Sequence, residues 1–349
     1  MTDRRTMLGL AAALTLGAWP ALAQEVTLKL HQFLPAQANV PTLVLDVWAD
    51  NVEKASDGRI RIDRYPSMQL GGTPPELYDQ VVDGVADIAW VVSGFTPGRF
   101  PTTETFELPF AVSDARAASA AYWQLAQEEM VDGETSDVHL LGAWVHGPGV
   151  IHVSDPVEAP EDLAGMKIRG GGRMVTDLLE LVGAEPIGMP VTQIPEALSK
   201  GVIDGTTIPW EVTPSLRVPE LVGYHTEFEG PALYVLTFML VMNKGRYEAL
   251  PADLQAVIDA QSGLAFSVFA GGTQADADGP ARQVAVDAGN EIHTVPESET
   301  GAWRALVEPI YERWVGEQDA AGRDGQALID RAQALMGAYD PSMDSYAPL

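Results

Sequence analysis

The chain has 349 residues, no cysteine, and 49 acidic against 21 basic side chains, for a formal net charge of −28. Without cysteine there are no disulfides and no thiolate metal sites, and an excess of negative charge this large opposes contact with nucleic acid or anionic lipid. The length is large for one hydrophobic core, so two lobes are expected.

Residues 1–23 read as a targeting segment. Arg4-Arg5 forms a charged start, 7–19 is mostly apolar, and Ala21-Leu22-Ala23 is a small-residue cleavage site before Gln24. The apolar run is short for a bilayer span. Asp3-Arg4-Arg5-Thr6-Met7-Leu8 is a partial match to a twin-arginine signal, which leaves the export route open. No later segment reads as a membrane span. The mature chain, at −29 once Asp3, Arg4 and Arg5 are removed, is expected to be soluble and exported.

Residues 26–32 alternate as a first strand. Asn39 and Pro41 open a helix whose apolar positions Val40, Leu43, Val44, Val47, Trp48 and Val52 keep a helical period up to the stop at Gly58. Residues 59–65 alternate again, Thr73 begins a helix that ends before Gly84, and 87–92 is the next strand. Alternating units of this kind imply a parallel-type α/β sheet. Residues 95–110 form a proline-rich connector, 114–130 a helix, and 138–144 and 150–153 strands broken by Gly147-Pro148-Gly149, extended enough to cross between lobes. Helices over 174–182 and 192–200 are followed by a strand over 202–209 that leads into Trp210-Glu211. Residues 234–242 are an apolar strand. Beyond Pro251 the chain reads as helices over 251–270, 273–289, 298–318 and 323–337, broken at Gly279-Pro280 and Pro296, with a loose tail over 340–349. Gly84-Val85-Ala86-Asp87 returns as Gly201-Val202-Ile203-Asp204, each after a helix and before an apolar strand and a tryptophan, one in each half.

The motifs of common enzymes are absent: there is no H-E-x-x-H, G-x-S-x-G, P-loop or G-x-G-x-x-G. The six histidines never fall at helical ligand spacing. Leu163-Ala164-Gly165-Met166-Lys167-Ile168-Arg169 reads as a turn and a short strand, and Gly170-Gly171-Gly172 lets the backbone turn or pass close to a neighbour. A guanidinium at such a strand end is a fixed fork for a carboxylate. By itself Arg169 fits a solvated strand face at least as well.

Several runs, in order, carry a resemblance: Asp57-Gly58-Arg59-Ile60 with Tyr65-Pro66-Ser67-Met68-Gln69-Leu70-Gly71; Asp83-Gly84-Val85-Ala86-Asp87-Ile88; Phe106-Glu107-Leu108-Pro109-Phe110; Asp162-Leu163-Ala164-Gly165-Met166-Lys167-Ile168-Arg169; Gly183-Ala184-Glu185-Pro186 with Glu196-Ala197-Leu198; and Met242-Asn243-Lys244 with Leu250-Pro251-Ala252-Asp253-Leu254-Gln255. Across 31–270 the chain resembles the DctP-type solute receptors of TRAP (tripartite ATP-independent periplasmic) transporters.

The resemblance implies an α/β, two-lobed periplasmic binding protein with crossing strands and a long bracing helix. Residues 24–145 would be mainly lobe 1, 146–245 mainly lobe 2, and 246–349 helices that bridge both. It implies a small-molecule carboxylate captured between the lobes and passed to membrane permease subunits, without catalysis or cofactor and without nucleic acid or direct lipid binding. Arg169 maps onto the family arginine that grips the carboxylate. Positions that are polar in sugar-acid-binding relatives fall on Phe33, Val92 and Ile208, and a second arginine falls on Gly149 or Val150. Trp90, His146, Trp210 and Glu211 lie near these positions, and with Arg169, Phe33, Val92 and Ile208 they make up the candidate ligand-binding set and its walls. One arginine among apolar walls suits a hydrophobic or aromatic monocarboxylate. Polar groups of a sugar acid or C4-dicarboxylate left unpaired there would each lose about 1–3 kcal/mol. Two alternatives are kept: a receptor for a short 2-oxo or 2-hydroxy acid with a cation at Glu211, and an exported metal-dependent hydrolase using His146, His152 and Glu211.

Overall fold

Alternation builds the first sheet. In β1 (Val26–His31) Leu28 and Leu30 are buried while Lys29 is exposed, and in β2 (Ile60–Tyr65) Ile60 and Ile62 are buried around an exposed Arg61. Within the computed structural model, which describes residues 25–349, these strands pair in parallel from Val26↔Ile60 to His31↔Tyr65. The targeting segment and its cleavage junction lie outside the described residues. β3 (Ile88–Val92) joins β1 in parallel.

The remaining strands are β4 (Val138–Val145), β5 (Gly149–Val153), β6 (Lys167–Gly170), β7 (Glu185–Gly188), β8 (Gly205–Pro209), β9 (Tyr224–Phe228), β10 (Thr237–Asn243) and β11 (Glu291–Val295). One sheet runs β2-β1-β3-β10-β4 and the other β11-β9-β5-β8-β6-β7, giving one lobe to each. The parallel sheet expected from the sequence is corrected in part. β10 is antiparallel to β3 and β4, and β5 to β8 and β9. These strands arrive from the other lobe, through residues 146–148 or 229–236, so no βαβ crossover fixes their direction.

The helix Leu264–Asp287 is a third link. It packs on Ala115–Glu129 and β4 in the first lobe and on Trp210–Val212 and β11 in the second. The break expected at Gly279-Pro280 does not occur: Pro280 lies inside the helix. Packing holds both ends, with Phe266, Val268 and Ala270 buried on one side of it and Ala281 and Ala285 on the other, and such packing overrides local propensity. β7, β9 and β11 were not legible as strands, because Pro186 and the charged or polar residues of 224–228 and 291–295 blur their alternation. The connector over 95–110 contains a 3-10 turn, Pro101–Thr103, that runs into the short helix Glu104–Glu107. The tail is held, not loose: Asn51 Nδ2 donates to Ala347 O at 2.9 Å, and the Tyr346 ring lies 5.0 Å from Phe269. Among the described residues no helix is long and apolar enough to cross a membrane.

The four-residue echo is a structural repeat. Asp87 accepts the N–H of Lys29 at 2.7 Å, and Asp204 accepts that of Lys167 at 2.8 Å. Gly84 and Gly201 both take positive φ, 73° and 65°, a conformation that glycine adopts without strain. Each lobe thus closes the same helix-to-strand turn onto a neighbouring parallel strand, β1 in one and β6 in the other.

Candidate ligand-binding site

The second copy of that turn fixes the strand that carries Arg169. Arg169 pairs with Ile187 on one side and Thr206 on the other, and it is only 1% exposed. Its Nε donates to Met189 O at 3.0 Å and its Nη1 to Thr207 O at 3.2 Å. Nη2 has no partner, and no described carboxylate forms an ion pair with the guanidinium. Burial pulls Arg169 down to about 10, so it stays cationic at neutral pH.

The glycines that follow act by close approach. A Cβ on Gly171 would lie 2.9 Å from Arg169 Nη1 and 2.8 Å from Leu236. A side chain there would push the guanidinium off its seat.

Arg169 opens into a cavity of about 40 Å³ between the lobes, walled by Phe33, Trp90, Val92, His146, Ile208, Glu211, Tyr234 and Phe238 among others. Phe33 stacks on Trp90 at 4.4 Å. Seven of the eight sequence-derived candidates line this space: Arg169, Phe33, Trp90, His146, Glu211, Val92 and Ile208.

Trp210 does not, which corrects its assignment as a wall. Its ring packs with Val150, Ala281 and Ala285 and stands edge-on to His152, and its Nε1 donates to Glu227 Oε2 at 2.9 Å. The short turn after Pro209 sends consecutive side chains in different directions, Trp210 toward the bracing helix and Glu211 into the cavity wall.

His146 is a neutral wall. Its Nδ1–H donates to Gly147 O, and its Nε2 accepts from Leu236 N at 2.9 Å. Burial, with Arg169 nearby, lowers it to about 4. His152 is committed elsewhere, to His225 at 2.7 Å and Ile208 O at 3.1 Å. The structure therefore does not bring His146, His152 and Glu211 together as a ligand set, and among the described residues no group of three or more His, Asp or Glu could hold a metal ion.

Tyr234, Leu236 and Phe238 were missed as site residues, although their alternate spacing placed them on one face. All three line the cavity. A Cβ on Gly149 would lie 2.1 Å from the Tyr234 ring, so this aromatic ring fills the space that a side chain at 149 would need. The Tyr234 hydroxyl, beside Thr207, makes no hydrogen bond of ordinary geometry.

Two hydrogen-bonded links join the lobes. Asn39 donates to Glu211 O at 2.8 Å. Arg173 meets Glu104 through Nε–Oε1 at 2.9 Å and Nη2–Oε2 at 2.5 Å, which ties one lobe to the other.

Two α/β lobes closed over a buried guanidinium with a free Nη2 form a site whose chemistry suits a small anion. Residues 33–318 match the model of the bacterial extracellular solute-binding proteins of family 7, DctP, and the chain belongs to that family, the solute receptors of TRAP transporters. It is similar to a TRAP solute-binding protein from Rhodoferax ferrireducens in complex with copurified benzoate, at 46% identity and a TM-score of 0.88 over 89% of this chain and 98% of that one. A marine metagenome TRAP protein specific for aromatic acid ligands, in complex with 3-hydroxybenzoate, is 41% identical with a TM-score of 0.88, covering 91% of this chain and 100% of its own. The C4-dicarboxylate-binding periplasmic protein DctP of Rhodobacter capsulatus is 25% identical over 89% of this chain and 94% of its own.

Proposed function

We propose that this protein is an exported receptor that encloses an aromatic monocarboxylate and presents it, unchanged, to the membrane subunits of a TRAP transporter. One observation carries the reading: a fully buried guanidinium with a free Nη2 and no acidic partner, facing a cavity walled mainly by aromatic and aliphatic side chains. A buried charge without a counter-ion is expensive, and a ligand carboxylate supplies the missing partner. Apolar walls reward a hydrophobic body at about 25 cal/mol per Å² and offer too few polar partners for the several hydroxyls of a sugar acid. The two relatives at 46% and 41% identity, with benzoate and 3-hydroxybenzoate, support the ligand class. Because Arg169 is enclosed, ligand enters only when the lobes part, and closure around it marks the loaded state that the permease would read.

A thermal-shift panel on the mature protein tests this with aromatic monocarboxylates, short 2-oxo and 2-hydroxy acids, C4-dicarboxylates and sugar acids. A ligand at 100 times its dissociation constant adds about 2.7 kcal/mol. Shifts are expected with benzoate-type acids. A response confined to short acids, dicarboxylates or sugar acids would overturn the reading.

A further inference from the structure

Glu211 is the second unmet polar group of the cavity. It is 4% exposed, and every one of its polar atoms but one is held. Its Oε1 accepts from Gln274 Nε2 at 3.0 Å, and Gln274 Oε1 in turn accepts from Trp144 Nε1 at 2.6 Å. Its backbone N–H donates to Asp278 Oδ1 at 2.8 Å, and its carbonyl accepts from Asn39 at 2.8 Å. Oε2 alone makes no hydrogen bond of ordinary geometry, although the Asn39 amide, already bonded to the Glu211 carbonyl, lies near the carboxyl. Glu211 is thus fixed in place by Gln274 and Asp278 of the bracing helix and by Asn39, with one carboxyl oxygen unspent on the wall of the ligand cavity.

Arg169 does not spend it, since the two side chains form no ion pair although they line the same cavity. Of the other walls, Phe33, Leu34, Val212 and Phe238 carry no donors, Gln274 Nε2 is spent on Glu211 Oε1, Thr207 Oγ1 on Arg169 O, and the Tyr234 hydroxyl makes no bond to Glu211. Trp90 Nε1 is a further unpartnered atom on this lining, a donor lacking an acceptor.

We infer that Glu211 selects, among aromatic acids, those that bear a hydroxyl on the body of the molecule away from the carboxylate, the hydroxyl donating to Glu211 Oε2 while the carboxylate meets Arg169. The inference rests on the proposed function and deepens it. A hydroxyl is the small neutral group that fits, because it donates to Glu211 and keeps a lone pair for a donor such as Trp90 Nε1. A site that holds a buried acceptor in waiting discriminates strongly against the analogue that lacks the donor, because that analogue leaves the acceptor unpaired.

The experiment is calorimetry on the wild-type protein in buffer free of divalent cations, with benzoate, 3- and 4-hydroxybenzoate, and the methyl ethers of both. At least one hydroxy isomer is expected to bind about tenfold or more tightly than benzoate and than its own methyl ether. In Glu211→Leu, and again in Glu211→Gln should the leucine variant not fold, the ratio of that hydroxy acid to its methyl ether should change by a similar factor. Benzoate binding as tightly as both hydroxy acids in the wild type would overturn the inference while leaving the receptor reading intact. So would a hydroxyl preference that survives unchanged in the folded variant. No binding by any of the five acids would count against the receptor reading itself.

Discussion

Asp204 accepts the backbone N–H of Lys167 at 2.8 Å, two residues before Arg169 on the same strand. This bond, its twin between Asp87 and Lys29 in the other lobe, and the two left-handed glycines behind them show one turn used twice. Only the second copy carries a buried arginine, Arg169, on its strand.

Asp204→Ala should therefore cost about 1 kcal/mol of stability, the worth of one partly solvated hydrogen bond, and weaken ligand binding several-fold as the start of β6 loosens. Asp87→Ala should cost a similar amount without changing affinity. Urea unfolding and calorimetry on both variants check this. Equal affinity in both would show that the neighbouring strands hold β6 without the aspartate.

Phe33 is buried and stacked on Trp90 at 4.4 Å. Phe33→Asn replaces that ring with an amide that has no partner in an apolar wall, so an aromatic acid should bind about tenfold or more weakly. Equal or tighter binding in a titration would remove Phe33 from the ligand wall.

Burial raises the Glu211 carboxyl from its ordinary 4.5 to about 7. The folded protein then holds this proton more tightly than the unfolded chain, so the group costs nothing below 4.5 and its full penalty is present above about 7. Glu211→Gln carries no such penalty. Melting curves of the ligand-free proteins should show the variant gaining on the wild type between about pH 5 and about pH 8, by at most roughly 3 kcal/mol. A difference that does not change with pH would mean that Glu211 ionises as readily in the folded protein as in the unfolded chain.

The small-residue site at Ala21-Leu22-Ala23 predicts that the exported protein begins at Gln24. Intact-mass analysis of protein from the periplasmic fraction checks it. A full-length mass there would contradict cleavage.

Much of the fold was legible because period and punctuation agree. The first strands alternate cleanly, and glycine ends the helices before Gly84, Gly183 and Gly201. Arg169 was legible as well, once the run leading to it was read as a unit. What the sequence hid is mostly tertiary. Whether Trp210 or Glu211 faces the ligand depends on a single turn after Pro209. The continuity of Leu264–Asp287 through Pro280 depends on two lobes packing against it. Tyr234 was hidden differently: its role follows from Gly149, far away in sequence, where the missing side chain leaves room for its ring.

The central claim is that Arg169 is kept buried and unpaired for a ligand carboxylate. Calorimetry with the tightest-binding aromatic acid, on the wild type and on Arg169→Met, tests it most directly, with melting curves of both ligand-free proteins alongside. The account predicts one-to-one binding by the wild type and a loss of about a hundredfold or more in the variant. The variant should melt no lower than the wild type, because it no longer buries an uncompensated charge. A folded Arg169→Met protein that binds the acid with wild-type affinity would contradict it.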